Sequence, residues 1–495
     1  MLINRFSKIV FFAVSLAACA VGPEYQKPKV TLSNEYSDKN KVEQRAAATS
    51  TNLETWWDGF NDPLLTRFVL LAFEKNLDLA QSTARINQAK SGLRLADIAL
   101  LPSGNLSATA ARNHQSLETP LGQLLNATPN FNRNVSFYET NLSASWETDL
   151  FGGLKHEQEA AIAEYQAFEA SKIATRLSVA AQTADLYINI RNLQNRIDIT
   201  RQQLEKQKKL LSIVDILNRR GLAAKLEVYQ AESAVSQTQS QIPALEANLD
   251  MKMNALDVIL GVSPGTFRSE LSSKQAIPTP PQISSIENPS DLLRRRPDLI
   301  VAEKRLVASN ARIGAAISEY YPKLSITALI GSATAISSGN LFSSNANQAT
   351  GVLGLRWRLF DFKRIDAQVS VAKGVEAESI AKYRQSVLRA TQDVEDSFTT
   401  LINNEEQTLI LGQAETSLSN ARNSAFAAYE KGTVSLMEVL QADESLLKMT
   451  NAKVQAQSES ARAAVAAFKS LGGGWDFAAA AASSEKNVSL VTSPN

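Results

Sequence analysis

Residues 219–233 of this 495-residue chain recur as residues 430–444, with Gly221, Glu227, Val228, Gln230 and Ala231 matched by Gly432, Glu438, Val439, Gln441 and Ala442 at an offset of 211 (432 − 221). Each copy lies between a very long helical pattern and a second one. A Gly where the first helix stops, a few residues before the next begins, is the sequence form of a helical hairpin tip. The correspondence continues outward: Asn76-Leu77-Asp78-Leu79 answers Arg296-Pro297-Asp298-Leu299 and Pro102 answers Pro322 at an offset of 220 (296 − 76), and Phe151 answers Phe360 at 209 (360 − 151). Landmarks kept in order through a chain mean one architecture built twice. The two halves read as residues 56–262 and 289–475, interlocked rather than independent, with a Pro-rich linker over 263–288.

Each half repeats one plan. A helix runs to about Leu100 in the first copy and from Pro289 to Tyr321 in the second, ended by Pro102 and Pro322, because the residue before a proline is pushed out of helical geometry. Period-two alternation follows, over about 104–146 and 324–359, and predicts one β-hairpin per half. The clearest run, Val352 to Leu359, would set Leu353, Leu355, Trp357 and Leu359 toward lipid and Arg356 and Arg358 toward a watery lumen. Next comes a helical pattern from about Lys155 to Asn218 without Pro or Gly, a rod on the order of 95 Å. Ile190, Ile197, Leu204 and Leu211 keep a seven-residue spacing, as do Ile380, Val387, Val394 and Leu401, which predicts coiled-coil packing. The fold class is mainly α with a small β part: duplicated helical hairpins plus four strands per chain.

The N-terminus reads as a lipoprotein signal peptide over 1–18. Arg5 and Lys8 precede an apolar run too short to span a bilayer, ending in Leu16-Ala17-Ala18-Cys19. Cys19, the one cysteine of the sequence, would carry the lipid, residues 19–55 would form an extended tether, and 476–495 a disordered tail. With 51 basic against 50 acidic residues the charge argues for no nucleic-acid partner, and two histidines with one cysteine supply no His/Cys metal cluster and no catalytic constellation. His114 falls in an expected loop and His156 at a helix start, both as surface residues.

Strands of this length bear on assembly. In hydrocarbon every backbone polar group must be bonded, so membrane-spanning strands must close a barrel, and the smallest barrels have about eight strands. Four strands per chain would then require several copies to share one.

In order along the chain, Leu16 to Tyr25, Trp56-Trp57 to Leu65, Leu292 to Leu299, Tyr429 to Gln441 and Leu471-Gly472-Gly473-Gly474-Trp475 resemble the outer-membrane factor family of tripartite efflux systems, in its lipoprotein branch. The resemblance implies a homotrimer sharing a twelve-stranded barrel in the outer membrane, a periplasmic α-barrel, and docking to a periplasmic adaptor that links it to an inner-membrane RND-type pump. It implies no enzymatic activity and no cofactor beyond the lipid on Cys19. The adaptor would meet the tips at Arg219, Arg220, Gly221 and Leu222 and at Lys431, Gly432, Thr433 and Ser435. Glu438 falls on an acidic position of the family's periplasmic gate, whereas Gln441 stands where the family usually has Asp. Export of drugs and other small molecules is the expected function. A conduit for metal ions or secreted proteins, and a pore-less coiled-coil scaffold lipoprotein, are the alternatives.

Overall fold

The computed structural model describes residues 20–45, 50–283, 286 and 288–475. The signal peptide, Cys19 and the 476–495 tail lie outside the described residues. In chain order come α1 (Lys39–Glu43), β1 (Ser50–Thr51), α2 (Pro63–Lys75), α3 (Leu77–Ala99), β2 (Ser103–His114), α4 (Pro120–Asn126), β3 (Asn134–Thr148), α5 (Gly153–Arg219), α6 (Lys225–Ile259), β4 (Gln282–Ile283), α7 (Leu292–Arg295), α8 (Pro297–Ser318), β5 (Lys323–Thr334), β6 (Asn347–Arg356), α9 (Phe362–Glu430) and α10 (Leu436–Ser470). The duplication is metric: α5 and α9 have 67 and 69 residues, and α6 and α10 have 35 each. None of the described helices is long and apolar enough to cross a membrane.

The single helix expected before each hairpin is two helices, broken at Asn76 and at Arg296. The Asn76 carboxamide oxygen accepts from the amides of Asp78 (2.9 Å) and Leu79 (3.0 Å), so it ends one helix and caps the next. At the twin position Pro297 forces Arg296 to an extended ψ of 119°.

The chain packs as two units. Of the described residues, one comprises 20–28, 87–167 and 303–382; the other those within 29–86, 168–302 and 383–475. The first holds an antiparallel four-stranded sheet in the order β2-β3-β5-β6, so the hairpin of one half lies beside that of the other. The outer strand β6 stops at Arg356, short of the expected Leu359. Beyond it the Trp357 indole donates to the carbonyl of Tyr320 (2.9 Å), as its twin Trp146 donates to that of Leu100 (2.9 Å). The Arg358 guanidinium turns to Glu319 (2.8 Å) and Asp361 (3.2 Å). Arg358 therefore lies outside the strand in which it was expected.

The heptad positions Ile190, Ile197, Leu204, Val387, Val394 and Leu401 are buried as the spacing requires, whereas Leu211 and Ile380, at the ends of the two runs, are half-buried. Trp56 stacks on Phe468 (5.7 Å, 8°) and the Gly474 amide donates to Leu53 O (2.8 Å), so two sequence motifs far apart in the chain form one core. The segments expected to be tether and linker are packed, where described. Tyr36 and Val42 are buried, Tyr36 lies edge-on to Phe398, and Arg45 pairs with Glu405. Leu271 and Ile283 are buried, Arg191 donates to Ser273 O (2.9 Å), and β4 pairs in parallel with β1. Apolar residues spaced among the prolines made this burial possible, and a polar average concealed it.

Candidate functional site: a two-faced sheet and two helical tips

Directly paired residues of an antiparallel sheet share a face, so the registers sort every side chain. Leu106, Leu142, Ile330 and Ala349 lie across one row, and Ala144, Ala328 and Gly351 across another of the same face. Leu324, Ile326, Leu353, Leu355 and Trp146 extend it toward one end and the row Thr140, Ser332 and Asn347 toward the other, and Leu106 (73 % exposed) and Leu353 (69 %) lie open in the single chain. The opposite face carries Ser107, Asn141, Gly331 and Gln348 in one row and Ser145 with Thr327 in another. There the Gln348 amide donates to Asn141 (2.7 Å) and to Glu139 (3.0 Å). Arg356 ends β6 on this polar face, opposite Lys323. On the apolar face Tyr138 and Trp146 of β3 stand eight residues apart (146 − 138), about 27 Å along the strand. Aromatic residues bounding an apolar band match the girdles of a membrane barrel wall. The two outer strands, β2 and β6, are each paired on one side only within the sheet. An open apolar sheet with two free edges is complete only when further strands pair with them.

In the other unit the two tips make the same backbone turn. Gly221 and Gly432 adopt φ of 75° and 72°, left-handed values that only glycine takes without strain. Leu222 N donates to Leu217 O (2.9 Å) and Thr433 N to Ala428 O (3.0 Å), the six-to-one bond of a Schellman turn in both copies. Arg219 pairs with Asp215 (2.5 Å), and Arg220, Leu222, Lys431, Thr433 and Ser435 are exposed or nearly so around the turns. Behind them Leu210, Val214, Val228, Ala231, Leu436 and Val439 form one apolar cluster that joins the two hairpins.

Glu438 lies in the first turn of α10, and Gln441 is three residues on, so both fall on one exposed side of the helix. Ser435 Oγ lies 3.5 Å from Glu438 Oε1, too long for more than a weak bond. Two interactions here escaped the sequence. The Tyr429 hydroxyl donates to Glu227 (3.2 Å), tying α9 to α6, and burial followed by the Glu227 charge pushes its pKa up to about 12. Arg422 donates to the fully buried Asp443 (2.8 Å) inside the second hairpin. A usable signal was present. Tyr429 answers Asn218 in the repeat, one of the places where the tips differ, and Asn218 instead bonds Ala223 O (2.8 Å) of its own turn. Tyr429→Phe should loosen the hairpins from each other and raise the rate of limited proteolysis at the tips several-fold; an unchanged rate would make the bond incidental.

His114 closes β2 rather than lying in a loop, and His156 touches Val21 O (3.0 Å) and Glu159 (2.8 Å). Among the described residues no group of three or more His, Cys, Asp and Glu side chains is placed to hold a metal ion.

A strand set with one lipid-compatible face, joined in sequence to long coiled-coil hairpins, defines an outer-membrane conduit with a helical extension. Residues 69–262 and 288–473 match the family model "Outer membrane efflux protein", and the chain belongs to that family. It is 29 % identical to the outer membrane protein OprJ of Pseudomonas aeruginosa, over 94 % of this chain and 95 % of OprJ. It is 26 % identical to the cation efflux system protein CusC of Escherichia coli O157:H7, over 94 % of this chain and 99 % of CusC. Among solved structures the outer-membrane channel OprN superimposes with a TM-score of 0.82 at 27 % identity, covering 92 % of this chain and 100 % of OprN. Its function is that of an outer-membrane efflux channel.

Proposed function

We propose that this chain is the outer-membrane component of a tripartite system that exports small organic compounds. Three copies share a barrel of twelve strands, each contributing the sheet β2-β3-β5-β6. The observation that carries this reading is the sheet itself: one continuous apolar face, one polar face and two edges awaiting partners. The helical hairpins extend into the periplasm. The tips at Arg219–Leu222 and Lys431–Ser435 meet an adaptor, through which an inner-membrane RND-type pump supplies the energy. The lipid on Cys19 anchors the mature N-terminus in the outer membrane. A susceptibility panel on a deletion strain and its complemented parent tests the reading. Sensitivity to several unrelated organic compounds, reversed by complementation, supports it; sensitivity confined to one metal salt moves the assignment to cation export.

Glu438 forms the acidic constriction, three carboxylates facing one axis, with Gln441 contributing hydrogen bonds but no charge. Glu438→Gln should lower cation preference in single-channel recordings several-fold at low salt and less at high salt, since exposed charges are screened. Identical selectivity in the variant would leave Glu438 as a helix-start residue beside a positive dipole end. For the anchor, Cys19→Ser should abolish incorporation of labelled fatty acid and reduce mature protein in the outer membrane; normal labelling would remove the lipid from Cys19.

A further inference from the structure

The apolar face of the sheet ends in cations. Residues two apart on a strand share a face, so β2 continues from Leu106, Ala108 and Ala110 to Arg112 and His114. Arg133, just before β3, joins them: its Nη2 lies 2.7 Å from His114 Nε2, and His114 Nδ1 lies 2.7 Å from Asn134 Oδ1. A guanidinium only donates, so Nε2 accepts from Arg133. Neither arginine meets a carboxylate among the described residues, and the one acid of the 115–133 loop, Glu118, is held by its amide to Ser116 Oγ (3.3 Å). The Arg112 guanidinium has no bonding partner among the described residues, and Arg133 Nε is buried without an acceptor. Arg133 thus keeps a donor to give, and Arg112 is exposed to solvent beside it.

Further along lies a groove of about 570 Å³, in which Leu106, Leu142, Ile330, Ala349 and Phe342 of the β5–β6 loop meet Thr140, Ser332, Asn347 and Gln348. The cross-strand partner of Arg112 is Ser136, four residues from Thr140 at the groove (140 − 136), or about 14 Å along β3. Tyr138 stands between them on this face. Donors for a phosphate at one end and a groove carrying Leu106, Leu142, Ile330 and Phe342 at the other describe an amphiphile. The end in question carries the two hairpin loops; the helices α3, α5, α8 and α9 adjoin the opposite ends of the strands.

We propose that Arg112 and Arg133 bind the phosphate of an anionic lipid head group in the outer leaflet, with an acyl chain of that lipid in the Phe342 groove. This rests on the reading that the sheet crosses the outer membrane. Two guanidinium groups on one phosphate make charge-assisted, bidentate-capable bonds. A free phosphate would satisfy the arginines but leave the groove without purpose.

The test is native mass spectrometry of the delipidated, detergent-solubilised channel with added bis-phosphorylated lipid A, dephosphorylated lipid A or inorganic phosphate. The wild type should retain the bis-phosphorylated lipid about tenfold better than the dephosphorylated one, and R112Q/R133Q should lose that preference. R112K/R133K should recover part of it. Equal retention of both lipids by the wild type, or an unchanged preference in R112Q/R133Q, overturns the proposal. Displacement of the lipid by low-millimolar inorganic phosphate also overturns it and makes the rim a simple anion site. If the double variant fails to assemble, R112Q serves alone, since its side chain holds nothing described in place. Channel insertion into planar bilayers is scored in parallel: a wild type that never inserts refutes the membrane reading, whereas one that inserts without lipid preference refutes only the lipid site.

Discussion

Arginine at Ala328 should keep the chain out of the outer membrane, whereas arginine at the preceding residue, Thr327, should leave insertion intact. Ala328 is paired with Ala144 and Gly351, near the middle of the apolar face. An arginine on the lipid face near the bilayer midplane costs about 2–4 kcal/mol, and the cost recurs in every copy that shares the barrel. Thr327 is paired with Ser145 and Val352 on the other face, where an arginine would be hydrated. Ala328→Arg should therefore give little or no assembled protein in outer-membrane fractions. Thr327→Arg should give normal amounts of a channel with altered conductance and increased anion preference. Assembly of the first variant and failure of the second would reverse the two faces.

Arg296→Ala should be among the most destabilising single substitutions in the helical unit. Arg296 is 8 % exposed. Its Nε and Nη2 fork to Asp298 (3.0 and 2.7 Å), Nη2 also reaches Asp393 (2.9 Å), and Nη1 donates to the carbonyls of Ala390 (3.2 Å) and Ser470 (3.3 Å). Burial works against the charge, and the Asp298 and Asp393 carboxylates more than offset it, so the pKa is raised. One side chain thus fastens the start of α8 to α9 and to the end of α10. Removing a buried ion-pair partner costs about 3–5 kcal/mol. The loss here belongs near the lower end, because Asp298 and Asp393 are half exposed and can recover water. Arg296→Lys should fall between, since an ammonium keeps the charge but not the planar fork. Thermal unfolding of the detergent-solubilised protein is the measurement; a variant within about 1 kcal/mol of the wild type, the size of an ordinary substitution, would make the network dispensable.

Sequence alone fixed the duplication, the tips and the sidedness of the strands, because each is a local or periodic property. Gly221 and Gly432 mark left-handed turns whatever surrounds them. The alternation of Leu324, Ile326 and Ala328 with Ser325 and Thr327 sorts the faces of a strand before its neighbours are known. Heptads at Ile190–Leu204 and Val387–Leu401 announce burial without saying against what.

What tertiary structure decided was which distant segments meet. The pairing of β3 with β5 joins residues nearly two hundred positions apart, as Tyr138 with Thr334. The packing of Tyr36 on Phe398 turned an expected tether into part of the core. Arg358 left the strand for Glu319 and Asp361, and Tyr429 found Glu227 on the other hairpin. None of these has a spacing that a one-dimensional pattern can carry. Periodicity reports which face of an element is buried, while the partner on that face is chosen by shape and charge supplied from elsewhere in the chain.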